Sequence, residues 1–214
     1  TQIPRYRLGS LYVNELDDEI IEFLANSKKF CPHFHLSLQS LSDNVLKGMN
    51  RKYSVKEALE TIEKLHKNFN LPFLGCDIIV GFPNETDQDF EDTLNVVRYV
   101  KYDSAFTFIY SPRVGTPGAN MKDEVSMETK HERFNRLVDT LAVDIKAKAD
   151  AYIGKIVPVL VEGCSKKNTT RLTGYTDTLK LVNFVGKPEH VGKIVKVKIN
   201  EAHTYSLIGE EVDE

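Results

Sequence analysis

The chain has 214 residues, of which 41% are hydrophobic and 28% are charged, a balance typical of folded, soluble proteins and not of disordered or collagen-like chains. Its apolar runs are much shorter than the roughly 20 residues that span a bilayer, so we expect no membrane span and a cytoplasmic location. The formal net charge of −3 conceals a basic segment, because residues 154–209 carry nine basic and four acidic side chains.

The three cysteines, Cys31, Cys76 and Cys164, are too widely spaced for a disulfide framework or a close-spaced metal motif. Cys31, His33 and His35 alternate and could reach one ion on a strand face. No fourth ligand stands nearby, and histidines at a strand entry also bond to polar neighbours, so we expect no metal site in this chain. The first ten residues lack both a start methionine and a signal-peptide pattern, which indicates a segment of a longer protein.

Residues 1–152 alternate short apolar runs with stretches of helical period, which predicts strand and helix units around a parallel sheet. The predicted strands are Tyr6–Gly9, Phe34–Gln39, Gly75–Gly81 and Ser104–Tyr110. The predicted helices are Asp17–Asn26, Ser42–Met49, Ser54–Asn68, Thr86–Val100 and Glu128–Tyr152. We expect Asp87 to cap the fourth helix, the third strand to be covered on both faces, and Tyr6–Gly9 to leave an exposed edge that favours pairing or aggregation.

Residues 153–214, which follow a boundary expected near Gly154, change to an alternating pattern that predicts five short strands and a small closed barrel of the OB-like kind. These strands are Ile156–Glu162, Thr170–Tyr175, Leu179–Phe184, Gly192–Ile199 and Thr204–Ile208. The surplus lysines and the aromatic side chains of Tyr175, Phe184 and Tyr205 favour nucleic-acid binding. The alternative is that the aromatic rings fill the barrel and the lysines form a solvated surface.

Polar and glycine residues follow three of the predicted parallel strands, where the reactive site of such a sheet lies. They are Gln39 and Ser40 after the second strand, Gly81, Glu85 and Thr86 after the third, and Ser111 and Arg113 after the fourth. We expect Gly81 to allow close approach of a ligand, and Glu85 or Thr86 to bond to a ribose or an amino group. The sequence therefore predicts a site at this end of the sheet, although a glycine turn alone is also an ordinary strand exit.

Five motifs resemble, in order, those of the radical S-adenosylmethionine (radical SAM) methylthiotransferases. They are Arg7 to Ser10, Cys31 to Ser40, Met49 to Tyr53, Asp77 to Pro83 and Tyr110 to Pro117. Leu181 to Phe184 and Glu201 to Glu210 resemble the RNA-binding TRAM domain. Leu41 and Asn84 stand where the family usually has glycine. At Leu41 the backbone after Ser40 is therefore expected to differ from that of the family, whereas Asn84 can keep the turn because asparagine tolerates positive φ.

The resemblance implies an α/β fold, the C-terminal portion of a radical SAM partial TIM barrel, followed by the TRAM β-barrel. It implies S-adenosylmethionine and two 4Fe–4S clusters as cofactors and tRNA as partner, in an enzyme expected to be monomeric when full length. The cluster-binding cysteine loop is absent from this chain, so we expect no catalytic residue here and no activity from this segment alone.

The resemblance favours methylthiolation of N6-threonylcarbamoyladenosine beside the tRNA anticodon. The stretch Phe108 to Arg113 is more like the enzyme that acts on isopentenyladenosine, so methylthiolation of that nucleoside is the first alternative. The second alternative is a non-catalytic RNA-binding module. The cofactor-binding residues that the resemblance implies are Gln39, Ser40, Ile79, Gly81 and Ser111. The substrate-binding residues that it implies are Arg51, Arg113, Lys180, Asn183 and Phe184.

Overall fold

The fold, taken from a computed structural model, is described for residues 2–166, 168 and 170–212. Its first part contains four strands, β1 Ser10–Leu11, β2 His33–Gln39, β3 Phe73–Val80 and β4 Ser104–Ile109. The α-helices are α1 Asp18–Ala25, α2 Asp43–Gly48, α3 Val55–Asn68, α4 Asp87–Val100 and α5 Met127–Asp150. The second part contains β5 Ile156–Cys164, β6 Leu172–Thr176, β7 Leu181–Val185, β8 Ile194–Ala202 and β9 Leu207–Glu211.

The first four strands form a parallel sheet in the order β1-β2-β3-β4. Alternate side chains, such as Leu36 on β2 and Ile78 on β3, are fully buried under the helices. Their neighbours on the strands point to the opposite face, where Phe106 and Phe108 are 62% and 51% exposed. The helices therefore cover one face of the sheet. On β3, six of the eight residues are buried and the other two, Asp77 and Ile79, are half-buried, so the expectation that both faces of the third strand are covered is confirmed.

The first strand lies after the predicted one, since Ser10–Leu11 pairs with His35 and Leu36. Tyr6 makes only an isolated bridge to Phe30. A two-residue strand has too little hydrophobic pattern to be located from the sequence, and its position is set by pairing with β2. The edge of the sheet nevertheless lies on this side, as predicted.

The cap of α4 is Thr86 rather than Asp87. The Thr86 side chain accepts a hydrogen bond from the backbone N–H of Asp89, and the Asp89 carboxylate accepts one from the Thr86 backbone N–H. Such a reciprocal box satisfies two backbone donors at a helix start. Asp87 lies one residue inside the helix, where its carboxylate is free to bond elsewhere.

The second part is a closed barrel of five strands in the order β5-β6-β7-β9-β8. Its core consists mainly of aliphatic side chains, with Phe184 fully buried among them. A Cβ atom on Gly174 or Gly209 would collide with the backbone carbonyl oxygen of Leu160 or Lys198. The barrel therefore closes tightly only because these two positions are glycine.

The barrel packs against the amino ends of the parallel strands. Lys180 is 7% exposed, and its ammonium donates to the backbone oxygen of Asp103 at 3.3 Å and lies 5.0 Å from the centre of the Phe73 ring. The Asp103 carboxylate in turn accepts a hydrogen bond from Lys148 of α5 at 2.7 Å. Tyr152, just after α5, bonds to Thr178 of the barrel at 3.0 Å. The two parts are thus joined through polar contacts as well as through the chain.

Candidate active site

A cavity of about 690 Å³ lies at the carboxyl ends of the parallel strands. The sequence-predicted residues on its wall are Gln39, Arg51, Ile79, Ser111 and Arg113. The other lining residues are Gly48, Met49, Asn50, Asp77, Phe82, Phe108, Ile109, Tyr110, Thr116, Pro117 and Gly118. Five of the predicted site residues therefore converge on one space, whose size is that of an ordinary small-molecule site.

Gln39 reaches the cavity because β2 ends irregularly. The pairing with β3 shifts between Leu36 and Gln39, and Gln39 has a φ of 65°, in the left-handed region that non-glycine residues rarely adopt. The buried hydroxyl of Tyr53 donates to the backbone oxygens of Ser37 and Leu38, at 3.1 and 2.7 Å, and burial raises the Tyr53 pKa to about 12. Tyr53 therefore supports the turn that presents Gln39.

Ser40, a predicted cofactor-binding residue, does not line the cavity. It is 1% exposed, and its hydroxyl accepts a hydrogen bond from the backbone N–H of Ser42 at 3.3 Å. Leu41 packs in the hydrophobic core and donates its backbone N–H to the Thr93 hydroxyl at 3.4 Å. Its φ is not positive, so the absence of the family glycine costs no backbone strain here.

The turn after β3 is held from within the protein. Gly81, with a φ of 72°, donates its N–H to the Glu85 carboxylate at 3.0 Å, and a Cβ at Gly81 would collide with the side chain of Lys130. The group that approaches Gly81 closely is therefore the Lys130 side chain and not, as predicted, a ligand. Asn84 has a φ of 67°, so the turn survives the replacement of the family glycine.

Glu85 is fully engaged with protein groups. Arg133 of α5 donates to its carboxylate at 2.8 Å and to its backbone oxygen at 3.1 Å. Burial raises the Glu85 pKa, while the hydrogen bond from Gly81 and the guanidinium of Arg133 act in the opposite direction. Neither Glu85 nor Thr86, the helix cap, lines the cavity, so the expected ribose or amino-group contacts of these residues are not formed on its wall.

Both predicted arginines line the cavity. Arg113 is exposed, whereas Arg51 is half-buried with its guanidinium 5.4 Å from the centre of the Tyr12 ring. A guanidinium group suits phosphate or planar polar groups by its fork of donors. Asp77, which also lines the cavity, pairs with the His35 imidazole at 3.1 Å.

Three aromatic residues of the cavity wall were missed from the sequence. Phe108 contributes an exposed ring from β4, and Phe82 contacts Tyr110 edge-on with ring centres 5.1 Å apart. Alternation along β4 predicts that Phe106 and Phe108 point to one face of the sheet and Ala105 and Thr107 to the other. The side of the sheet that each set faces depends on pairing and helix packing, which the pattern does not give.

The predicted RNA contacts of the barrel lie in three different environments. Phe184 is fully buried, so the reading in which this ring fills the barrel is correct. Lys180 lies at the junction described above, and Asn183 is half-buried on β7. Tyr205 is 69% exposed whereas Tyr175 is half-buried, so Tyr205 is the most exposed aromatic side chain of the predicted set.

A second cavity of about 670 Å³ lies between the amino ends of the strands and the barrel. His33 lines it, stacked on Phe73 with ring centres 4.8 Å apart. Its Nδ1 atom is buried and has no hydrogen-bond partner among residues 2–166, 168 and 170–212. Burial lowers the pKa of His33 to about 4, so the ring is neutral at physiological pH.

The described residues include no group of three or more His, Cys, Asp or Glu side chains able to hold a metal ion. Cys31 and Cys76 are buried and Cys164 is exposed, so the thiols do not form a cluster-binding set. In the described part of the chain, no helix combines the length and apolarity needed to cross a membrane.

Comparison with known families divides the chain as the fold does. Residues 7–97 match the radical SAM superfamily and residues 150–212 match the TRAM domain. The chain thus carries a region similar to the radical SAM superfamily, followed by a region similar to the TRAM domain. In structure it is similar to coproporphyrinogen III oxidase from Escherichia coli, a radical SAM enzyme, with a TM-score of 0.55 and 12% identity over 92% of this chain and 49% of the other. This likeness supports the predicted fold class.

Two curated relatives cover almost the whole chain. It is 51% identical over 213 residues to the tRNA-2-methylthio-N(6)-dimethylallyladenosine synthase of Bacillus subtilis, covering 99% of this chain and 42% of that protein. It is 47% identical over 210 residues to the protein of the same name from Clostridium botulinum strain Okra, covering 98% of this chain and 47% of that protein. The chain thus spans less than half the length of these relatives.

These relatives favour the alternative subfamily over the expected one. Their names give dimethylallyladenosine, which is another name for isopentenyladenosine, as the nucleoside. The preference for threonylcarbamoyladenosine rested on Arg7 to Ser10 and Cys31 to Ser40. The stretch Phe108 to Arg113, which borders the cavity, indicated the better-supported alternative.

Proposed function

We propose that the protein carrying this chain adds a methylthio group to N6-dimethylallyladenosine in tRNA by radical SAM chemistry. The observation that carries the proposal is the cavity at the carboxyl ends of the strands, where Gln39, Arg51 and Arg113 converge. Similarity to the two synthases over nearly the whole chain supports the substrate class.

The cavity residues fit S-adenosylmethionine, which combines an adenine ring, a ribose, a positively charged sulfur and an amino acid group. Ile79 and Phe82 offer apolar surface for the adenine, while the Gln39 amide and the Asp77 carboxylate offer hydrogen-bonding groups. The bound cofactor supplies the radical and methyl-transfer chemistry, and this chain binds and orients it. Ser111 lies on the wall beside these residues, whereas Ser40 and Gly81 act through the backbone turns.

The residues of this chain do not fit an iron–sulfur cluster, because such clusters are held by sets of cysteine thiolates and the described residues form no group of three or more ligating side chains. We therefore assign cluster binding to other parts of the protein and derive no step through it. The segment by itself should bind ligands without turnover.

The opening of the cavity fits a modified nucleoside within RNA. Phe108 presents an apolar ring that suits the hydrocarbon dimethylallyl group, and Arg51 and Arg113 suit the flanking phosphates. The basic TRAM barrel adds long-range attraction for the tRNA. Tyr205 is the candidate stacking residue of this barrel. Asn183, on β7, is a candidate polar contact.

The test is the nucleoside profile, by mass spectrometry, of tRNA from a host that lacks methylthiolation and expresses the complete gene. We expect the methylthiolated dimethylallyl nucleoside, with empty vector as the control. The methylthiolated threonylcarbamoyl nucleoside would keep the reaction and reverse the substrate. Neither product, from a protein loaded with its clusters, would overturn the proposed reaction and favour an RNA-binding module.

A further inference from the structure

We propose that Lys130 is a positioning residue that holds the loop carrying Ser111 and Arg113 over the cavity. This inference rests on the proposed function for its RNA-binding consequence and on geometry alone for its effect on the loop. We call residues 111–125, between β4 and α5, the arginine loop.

Lys130 is almost completely buried although it carries an ammonium group. Its side chain is 3% exposed, and it crosses the turn at Gly81 at a point where any Cβ would collide with it. Burying a lysine is costly unless the ammonium is paired. The absence of a side chain at Gly81 is therefore what lets Lys130 pass from α5 to the far side of the turn.

The ammonium of Lys130 reaches the arginine loop at its far end. It donates to the carboxylate of Asp123 at 2.5 Å and lies 5.6 Å from the centre of the Tyr110 ring, where the loop begins. Lys130 thus contacts Tyr110, directly before the loop, and Asp123, close to the end of the loop. A cation over a ring face and a charge-assisted hydrogen bond are both strongest when water is excluded.

The rest of the loop is held mainly by itself. Thr116 bonds to the backbone oxygen of Arg113 through its N–H and its hydroxyl, and Met121 bonds to Gly118. In the described ranges 2–166, 168 and 170–212, the Lys130 contact is the only side-chain hydrogen bond that ties residues 111–125 to another element. Losing it should free the loop while leaving the sheet and α5 folded.

The first test is amide hydrogen exchange on the 214-residue chain. In Lys130→Met, we expect exchange in residues 111–125 to rise at least tenfold, with β2 and α3 unchanged. Asp123→Asn, on a carboxylate that is 33% exposed, removes the same pair with less risk to folding and should have the same effect. Lys122→Met is the matched control, because Lys122 pairs with Glu124 at the surface within the same loop. Unchanged exchange in a folded Lys130→Met or Asp123→Asn protein would overturn the proposal, as would an equal rise in the control.

The second test separates positioning from a merely structural role by a double-mutant cycle. The measured quantity is the Kd of the chain for an anticodon stem-loop RNA that carries dimethylallyladenosine. If Lys130 acts through Arg113, then Lys130→Met and Arg113→Ala should each weaken binding by about the same factor, and the double variant should be no weaker than either. Lys130→Arg should recover part of the loss, because it restores a cation.

Fully additive losses would overturn the positioning role at Arg113. If Arg113→Ala alone leaves the Kd unchanged, the proposed RNA contact fails, and hydrogen exchange still decides whether Lys130 holds the loop. The two failures are therefore distinguishable.

Discussion

The guanidinium of Arg133 and the carboxylate of Glu85 form an ion pair at 2.8 Å, with side chains that are 4% and 3% exposed. The same guanidinium bonds to the exposed carboxylate of Asp87 at 2.7 Å and to the backbone of Glu85. One side chain of α5 thus bonds to the end of the turn between β3 and α4, at Glu85, and to the start of α4, at Asp87. This turn forms one side of the cavity through Phe82.

Removing Arg133 should therefore be strongly destabilising. Arg133→Met leaves the Glu85 carboxyl group buried without its cation, and breaking such a pair from one side costs about 3–5 kcal/mol. The measurement is the free energy of unfolding in urea. Arg136→Met is the control, because Arg136 pairs with Glu91 and Glu132 at the surface, where the loss should stay below about 1 kcal/mol. Equal losses in the two variants would contradict the role given to the buried pair.

The stability of the protein should fall as the pH is lowered from 7 towards 4, in part because of His33. The folded-state pKa of about 4 lies below the ordinary value of 6.5, since burial disfavours the charged ring. The unfolded chain then binds more protons than the folded one between these values, so stability is fully present above pH 6.5 and is lost as the pH falls. The contribution is about 3 kcal/mol.

The check is a series of urea titrations between pH 4 and pH 7.5. In His33→Gln, this part of the pH dependence should disappear, and the curve of the variant should be flatter by about the same amount. His203, which is exposed beside Glu201, provides the control. A slope that persists unchanged in His33→Gln would place the titrating group elsewhere.

Lys180 should contribute to the joint between the two parts of the chain. Lys180→Met removes the hydrogen bond to Asp103 and the contact with Phe73, and we expect a loss of about 1–3 kcal/mol. Thermal unfolding measures this loss, and Lys196→Met, on the exposed side of β8, should change the stability by less than about 0.5 kcal/mol. If Lys180→Met unfolds like the wild type but binds RNA more weakly, the original prediction of an RNA contact would be preferred.

Closure of the TRAM barrel should depend on Gly174. An alanine there would push against the carbonyl oxygen of Leu160, which is backbone and cannot turn away, so we expect a loss of about 1–3 kcal/mol or more. Gly9→Ala is the control, because nothing lies within 4 Å of the added atom and its φ is not positive. Circular dichroism during thermal unfolding would show the difference, and a stable Gly174→Ala barrel would contradict the packing.

Most helices and strands could be predicted to within a few residues because their patterns are local. The helix α3, for example, begins with a capping box at Ser54 and Glu57 and repeats apolar residues at helical spacing. The position of β1 was predicted wrongly, because a strand of two residues is too short to show an alternating pattern of apolar and polar side chains. The cap of α4 was assigned to Asp87 because an aspartate and a threonine next to one another are equally good caps in sequence.

The candidate site was predicted in part. Gln39, Ser111 and Arg113 could be assigned to the cavity because the carboxyl ends of parallel strands meet at one edge. The roles of Glu85, Lys130 and Arg133 could not, since these residues lie far apart in the chain and pair only once α5 has packed against the sheet. Phe184 was assigned to RNA because alternation gives two faces of β7 but does not say which one the barrel encloses.

The most direct test of the account is turnover by the complete, cluster-loaded enzyme on tRNA carrying either dimethylallyladenosine or threonylcarbamoyladenosine. We expect methylthiolation of the dimethylallyl tRNA alone, with Arg113→Ala reducing kcat/KM at least tenfold and Arg98→Ala, on the exposed side of α4, leaving it unchanged. Turnover of the threonylcarbamoyl tRNA, or an Arg113→Ala enzyme as efficient as the wild type, would contradict the assignment of the cavity.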